Sequence, residues 1–173
     1  MGTPQIILLV INILGGAAVI LSYIYGLRGQ SGGADVLWGN VSAGIRPLYF
    51  ASMIISALGY FAFIYYILFR INPETSNISY YWFFAIFIVM LGASAFWMPL
   101  TNMYVNNGGP GLWIAVRAVL ALVGLASIGL VWALLALQPE TRGAAYWLGV
   151  AGAGYFAFHT AILDAIIWAA LFR

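Results

Sequence analysis

Apolar residues run through this chain in five long stretches, 6–27, 48–69, 80–100, 112–137 and 144–171, each closed by a short polar break. Every stretch reaches the roughly 20 residues that a helix needs to cross the hydrocarbon of a bilayer. The breaks carry strong turn chemistry: Arg46-Pro47, Asn72-Pro73-Glu74, the run from Asn106 to Gly111, and Gln138 to Gly143. This pattern predicts an all-α integral membrane bundle of five transmembrane helices, with residues 1–173 forming a single five-span domain. The first stretch is expected to remain as a span rather than leave as a signal, because Met1 to Gln5 has no Lys or Arg and the apolar run that follows is too long for an h-region.

The connection from Arg28 to Pro47 is longer than an ordinary loop and holds Gly32, Gly33, Gly39 and Gly44 around an apolar patch, Val36-Leu37-Trp38. It is expected to be the most mobile connection, or to be held only by Trp38 at the membrane interface.

Inside the spans, helical spacing sorts the polar and small residues onto faces. Asn12 and Gly15-Gly16 suit close packing and an interhelical hydrogen bond on the first span. Ser52, Ser56, Gly59 and Phe63 share one face of the second span, and Ser94, Trp97, Met98 and Thr101 share one face of the third. Pro99 removes a backbone hydrogen bond there and is expected to bend or end that helix near residue 100. Trp113, Arg117, Ala121 and Gly124 align on the fourth span, and Gly149, Ala153, Ala157, Ala161 and Ala165 recur every four residues on the fifth. Such a ladder of small residues lets two membrane helices approach closely.

Asp164 is the residue that most needs an explanation, since a carboxylate at membrane depth costs about 2.5–3.5 kcal/mol even on lenient insertion scales. Arg117 is its expected partner. The short Gln138–Gly143 loop makes the fourth and fifth spans antiparallel neighbours, and counting from their ends places Arg117 and Asp164 about 7 and 10 Å below the same face. On an α-helix His159 lies about 140° away from Asp164, so the two are expected to look toward different neighbours.

Composition narrows the chemistry. The chain is 65% hydrophobic and 6% charged with a mean hydropathy of +1.02, far from the roughly 25% charged residues of soluble domains. A net charge of +2, carried by scattered arginines, implies no nucleic-acid partner. The absence of lysine excludes a Schiff base, and the absence of cysteine excludes disulfides, thiolate catalysis and iron–sulfur clusters. With one histidine the chain alone cannot provide bis-histidine haem ligation, and one His plus one buried Asp is a thin basis for metal chemistry. His159 reads as a packing residue or as a single axial ligand to a haem or chlorophyll; the cofactor stays open. Counting loop and terminal arginines gives two against three, which places the N-terminus outside and the C-terminus in the cytoplasm by one charge.

Most intraspan polar residues fall toward the Arg46 end of the bundle. The expected ligand pocket is Arg117, Asp164, Trp97, Thr101, Ser94, Ser52, Arg46 and Trp38. The favoured reading is a membrane protein that binds or moves a small amphipathic ligand of lipid, isoprenoid or pigment class, with arginine holding an anionic head. The alternatives are an accessory subunit of a larger membrane complex or a homo-oligomer, and an intramembrane enzyme acting on a lipid or isoprenoid with Asp164 or His159 as general acid–base. Membrane lipid is the partner common to all three.

Overall fold

The computed structural model describes residues 1–28, 34–139 and 141–172. Among the described residues five helices are long and apolar enough to span a membrane: α1 (Thr3–Arg28), α2 (Arg46–Arg70), α3 (Tyr80–Asn107), α4 (Pro110–Ala136) and a fifth span (Ala144–Leu171). This is a multi-pass membrane protein, all-helical among the described residues. The fifth span is composite: an α-helix, α5 (Ala144–Ala157), continues into a π-helical segment (Phe158–Trp168) and a last α-helical turn (Ala169–Leu171).

Proline and glycine set the ends. Pro47 and Pro110 sit in the first turns of α2 and α4, where the missing N–H costs nothing. Gly108 and Gly109 adopt φ of +66° and +100°, which turns the chain from α3 into α4 within two residues. Pro99 does not end the third span near residue 100. The helix runs on to Asn107, because Met98 and Thr101 beside the proline are buried against neighbours that hold the turn together.

Close approach of backbones arranges the bundle. α1 leans along α3, with Gly15 against Leu91 and Gly26 against Met98 and Asn102, but touches α2 only sparsely. α3 packs on α4, α4 on the fifth span, and the fifth span on α2. At the α2–α5 crossing Gly59 and Gly152 meet backbone to backbone: a Cβ on either would lie 2.7 Å from the other's carbonyl oxygen. The small-residue ladder of the fifth span serves two partners. Gly149 lies against Tyr66 and Phe63 of α2, whereas Ala161 lies against Gly124 of α4.

The core divides into a large apolar cluster toward the Arg70 end, around Phe63, Phe83, Phe87, Leu130 and Tyr146, and an aromatic cluster at the Arg46 end. In the second, Trp168 and Phe172 lie 4.4 Å apart by ring centroids, Trp113 stacks on Phe172 at 5.7 Å, and Trp97 meets Trp168 edge-on at 5.4 Å.

The described part of the long connection is docked on this aromatic end, contrary to the mobile or merely membrane-anchored segment expected. After a 3-10 turn, Ala34–Trp38, the Leu37 carbonyl accepts a hydrogen bond from Trp168 Nε1 at 3.0 Å and Asn40 N–H donates to the Leu171 carbonyl at 3.1 Å. Gly39, at φ +51°, abuts the backbone of Phe172 so closely that a Cβ would fall 2.5 Å from its carbonyl oxygen. Residues 29–33 of this connection lie outside the described residues.

Candidate functional site

The π-helical turn of the fifth span builds the site. In such a turn the N–H bonds the carbonyl five residues back, so residues i and i+5 come to the same side, and π-turns recur at functional positions. His159 and Asp164 are five apart. Their side chains stand together, with His159 Nε2 3.6 Å from Asp164 Oδ2. The expectation that they face different neighbours assumed α-helical spacing and is corrected here.

The histidine then reaches across to α2. His159 Nδ1 lies 2.8 Å from Ser52 Oγ, and the Tyr155 hydroxyl, one turn before His159, donates to the same Oγ at 3.0 Å. Because Ser52 accepts from Tyr155, its own proton is free to point at Nδ1, and Nε2 then carries the ring proton toward Asp164. With that tautomer the four groups form one directed series: Tyr155 O–H to Ser52, Ser52 O–H to His159, and His159 N–H facing the Asp164 carboxylate, 3.6 Å away and beyond hydrogen-bond length.

Burial grades along this chain. Ser52 and His159 are each 5% exposed, whereas the Asp164 side chain is 29% exposed. The Tyr49 hydroxyl donates to the Leu163 carbonyl at 3.0 Å, pinning the residue before Asp164. Among the described residues the side-chain hydrogen bonds from α1 to α2 and its C-terminal end are made at the Arg70 end, where Gln5 Nε2 donates to the Leu68 and Ile71 carbonyls, and near the middle, where the Tyr60 hydroxyl donates to Asn12 Oδ1.

Arg117 does not pair with Asp164. Among the described residues Arg46 forms an ion pair with Asp35, at 2.8 Å, and the group that stands beside Asp164 is the His159 imidazole, not a guanidinium. Equal depth put the two residues at one level of adjacent helices, but they serve different surroundings: Asp164 stands beside His159, which bonds α2 through Ser52, and Arg117 faces outward into a groove of about 320 Å³. Trp113, Ala165, Ile166, Ala169 and Ala170 complete that groove.

The other predicted residues divide between these two places and the aromatic end. Trp97 lies between Tyr23 and Trp168, its Nε1 buried without a hydrogen-bond partner among the described residues. Thr101 is fully buried and its hydroxyl is likewise unmatched. Ser94 donates to the Met90 carbonyl of its own helix. Arg46 donates from Nε to the Val41 carbonyl at 3.3 Å and lies 5.6 Å from the Trp38 ring, so both belong to the docked connection. Polar residues are also spent nearer the middle and at the far end, where Ser127 Oγ and Thr160 Oγ1 meet at 2.7 Å and a cleft of about 580 Å³ opens between the N-terminus and Phe69–Glu74.

Tyr155 and Tyr49 are the site residues that spacing could have supplied and did not. Tyr155 precedes His159 by four and Tyr49 precedes Ser52 by three, the intervals that share a helix face. Among the described residues no group of three His, Asp or Glu side chains gathers to hold a metal ion. No family model, no curated protein and no solved structure matches the chain.

Proposed function

We propose that this membrane protein binds a small amphipathic ligand of lipid, isoprenoid or pigment class, whose polar head is read by the Asp164–His159–Ser52 chain. The observation that carries the reading is the grading of exposure: a carboxylate part open to its surroundings, backed by a buried histidine and serine hydrogen-bonded to each other. Ionisable groups at membrane depth are costly, and they persist where a bound group or pathway uses them. The sparse contact between α1 and α2 gives an apolar body a lateral way in from the bilayer. An aspartate accepts hydrogen bonds, so the preferred head is a hydroxyl or amine, not the anion expected of an Arg117 site.

The test is retention of ligand through purification in mild detergent, read by mass spectrometry of the extract. A small molecule present in stoichiometric amount in the wild type should be lost in Asp164→Asn, weakened in Ser52→Ala and kept in Trp132→Ala, a substitution at an exposed position on α4. Retention unchanged in Asp164→Asn contradicts the reading. A wild-type protein that carries no such molecule but a stoichiometric second chain supports the accessory-subunit alternative instead.

A further inference from the structure

The groove beside Arg117 is lined by none of the Tyr155, Ser52, His159 and Asp164 side chains. Arg117 lies seven residues into α4, about 10 Å below the end marked by Pro110, and its guanidinium has no ion-pair or hydrogen-bond partner among the described residues. Asp35 is taken by Arg46 and Asp164 by His159, while Glu74 belongs to the opposite end of the bundle. A cation at this depth needs a counter-charge, and this one faces outward rather than into the bundle.

The groove has a shape that suits one source of that charge. Trp113 forms its wall toward the membrane face, and Ala165, Ala169 and Ala170 hollow it, since their side chains end at Cβ. A head group descending from that face meets the guanidinium at the groove's inner end. Beyond it the exposed Ala121, Leu122 and Leu125 of α4 continue the same outward surface as an apolar track. We propose that this groove binds an anionic phospholipid, with its phosphate on Arg117 and one acyl chain along α4. Arginine is suited to the task because its planar fork can engage two phosphate oxygens at once.

Native mass spectrometry of the delipidated full chain, titrated with phosphatidylglycerol against phosphatidylcholine, tests this. The wild type should hold one phosphatidylglycerol in preference to phosphatidylcholine. Arg117→Gln should weaken that adduct about tenfold, the scale of one lost charge-assisted hydrogen bond, whereas Arg117→Lys should keep most of it and Asp164→Asn should keep all of it. Melting temperatures of the variants within a degree or two of wild type exclude misfolding as the cause, and the lysine variant keeps the test sharp if glutamine disturbs insertion. Equal retention by wild type and Arg117→Gln overturns the proposal. So does displacement of the lipid by millimolar inorganic phosphate, which makes the phosphate alone the ligand, or an Arg117-dependent dimer, which makes a second copy the occupant. Loss of the hydroxyl- or amine-bearing ligand in Asp164→Asn leaves this outcome untouched, so the two sites fail separately.

Discussion

One methyl group added at Gly59 puts the geometry of the polar chain under direct strain. Gly59 and Gly152 touch at the α2–α5 crossing, and Ser52 and His159 lie seven residues away from them, about 10 Å along the same two helices. In Gly59→Ala the new Cβ would stand 2.7 Å from the Gly152 carbonyl oxygen, and relief to an ordinary 3.4 Å contact requires the helices to part by about 0.7 Å. The obstacle is backbone, so no side chain can swing aside. Carried to the level of Ser52, such a shift takes the 2.8 Å bond to His159 toward 3.5 Å, past the useful range. Overpacking costs about 1–3 kcal/mol and the lost hydrogen bond about 1 kcal/mol more, against which the helix preference of alanine over glycine returns about 1 kcal/mol. The net expectation is a loss of about 1–3 kcal/mol. Reversible unfolding in mixed detergent micelles measures it, with Gly129→Ala as the reference, since a Cβ there meets nothing within 4 Å. Gly152→Ala should cost a similar amount, and the double variant clearly less than the sum, because one parting of the helices relieves both. If Gly59→Ala is as stable as Gly129→Ala, the crossing is softer than argued and does not set the Ser52–His159 contact.

Two further outcomes follow from the hydrogen bonds. Trp168→Phe removes the donor to the Leu37 carbonyl while keeping most of the ring packing; limited proteolysis in detergent should then cut within residues 34–45, which the wild-type protein should protect. Ser127→Ala should destabilise by less than about 1 kcal/mol in the same unfolding assay, because Thr160 keeps its bond to the Phe156 carbonyl and interhelical hydrogen bonds in membranes average about 0.6 kcal/mol.

The residues that spoke clearly in the sequence are those whose meaning depends on period and length alone. The five spans are legible because crossing a bilayer demands length and apolarity. The Ser52–Ser56–Gly59–Phe63 face is legible because α2 keeps α-helical spacing throughout, and all four residues are buried. What escaped depends on features that a 3.6-residue period does not carry. The π-segment changes the angular relation of His159 and Asp164, so a spacing that separated them on paper joins them in the fold. Arg117 and Asp164 show the related limit: depth along a helix can be counted, but the direction around it depends on which neighbours each face meets. The docked connection was hidden because Gly39 reads as flexibility, whereas its left-handed backbone and missing Cβ are what bring the chain against Phe172.

His159 is the only histidine, so ¹⁵N labelling of histidine gives a single imidazole to observe in detergent micelles or bilayers. The account predicts the tautomer protonated at Nε2, with Nδ1 accepting a hydrogen bond. Ser52→Ala should shift the Nδ1 resonance and Asp164→Asn the Nε2 resonance, while Arg117→Gln leaves both in place. An imidazole indifferent to Ser52→Ala and Asp164→Asn, or one that responds to Arg117→Gln instead, contradicts the Tyr155–Ser52–His159–Asp164 chain.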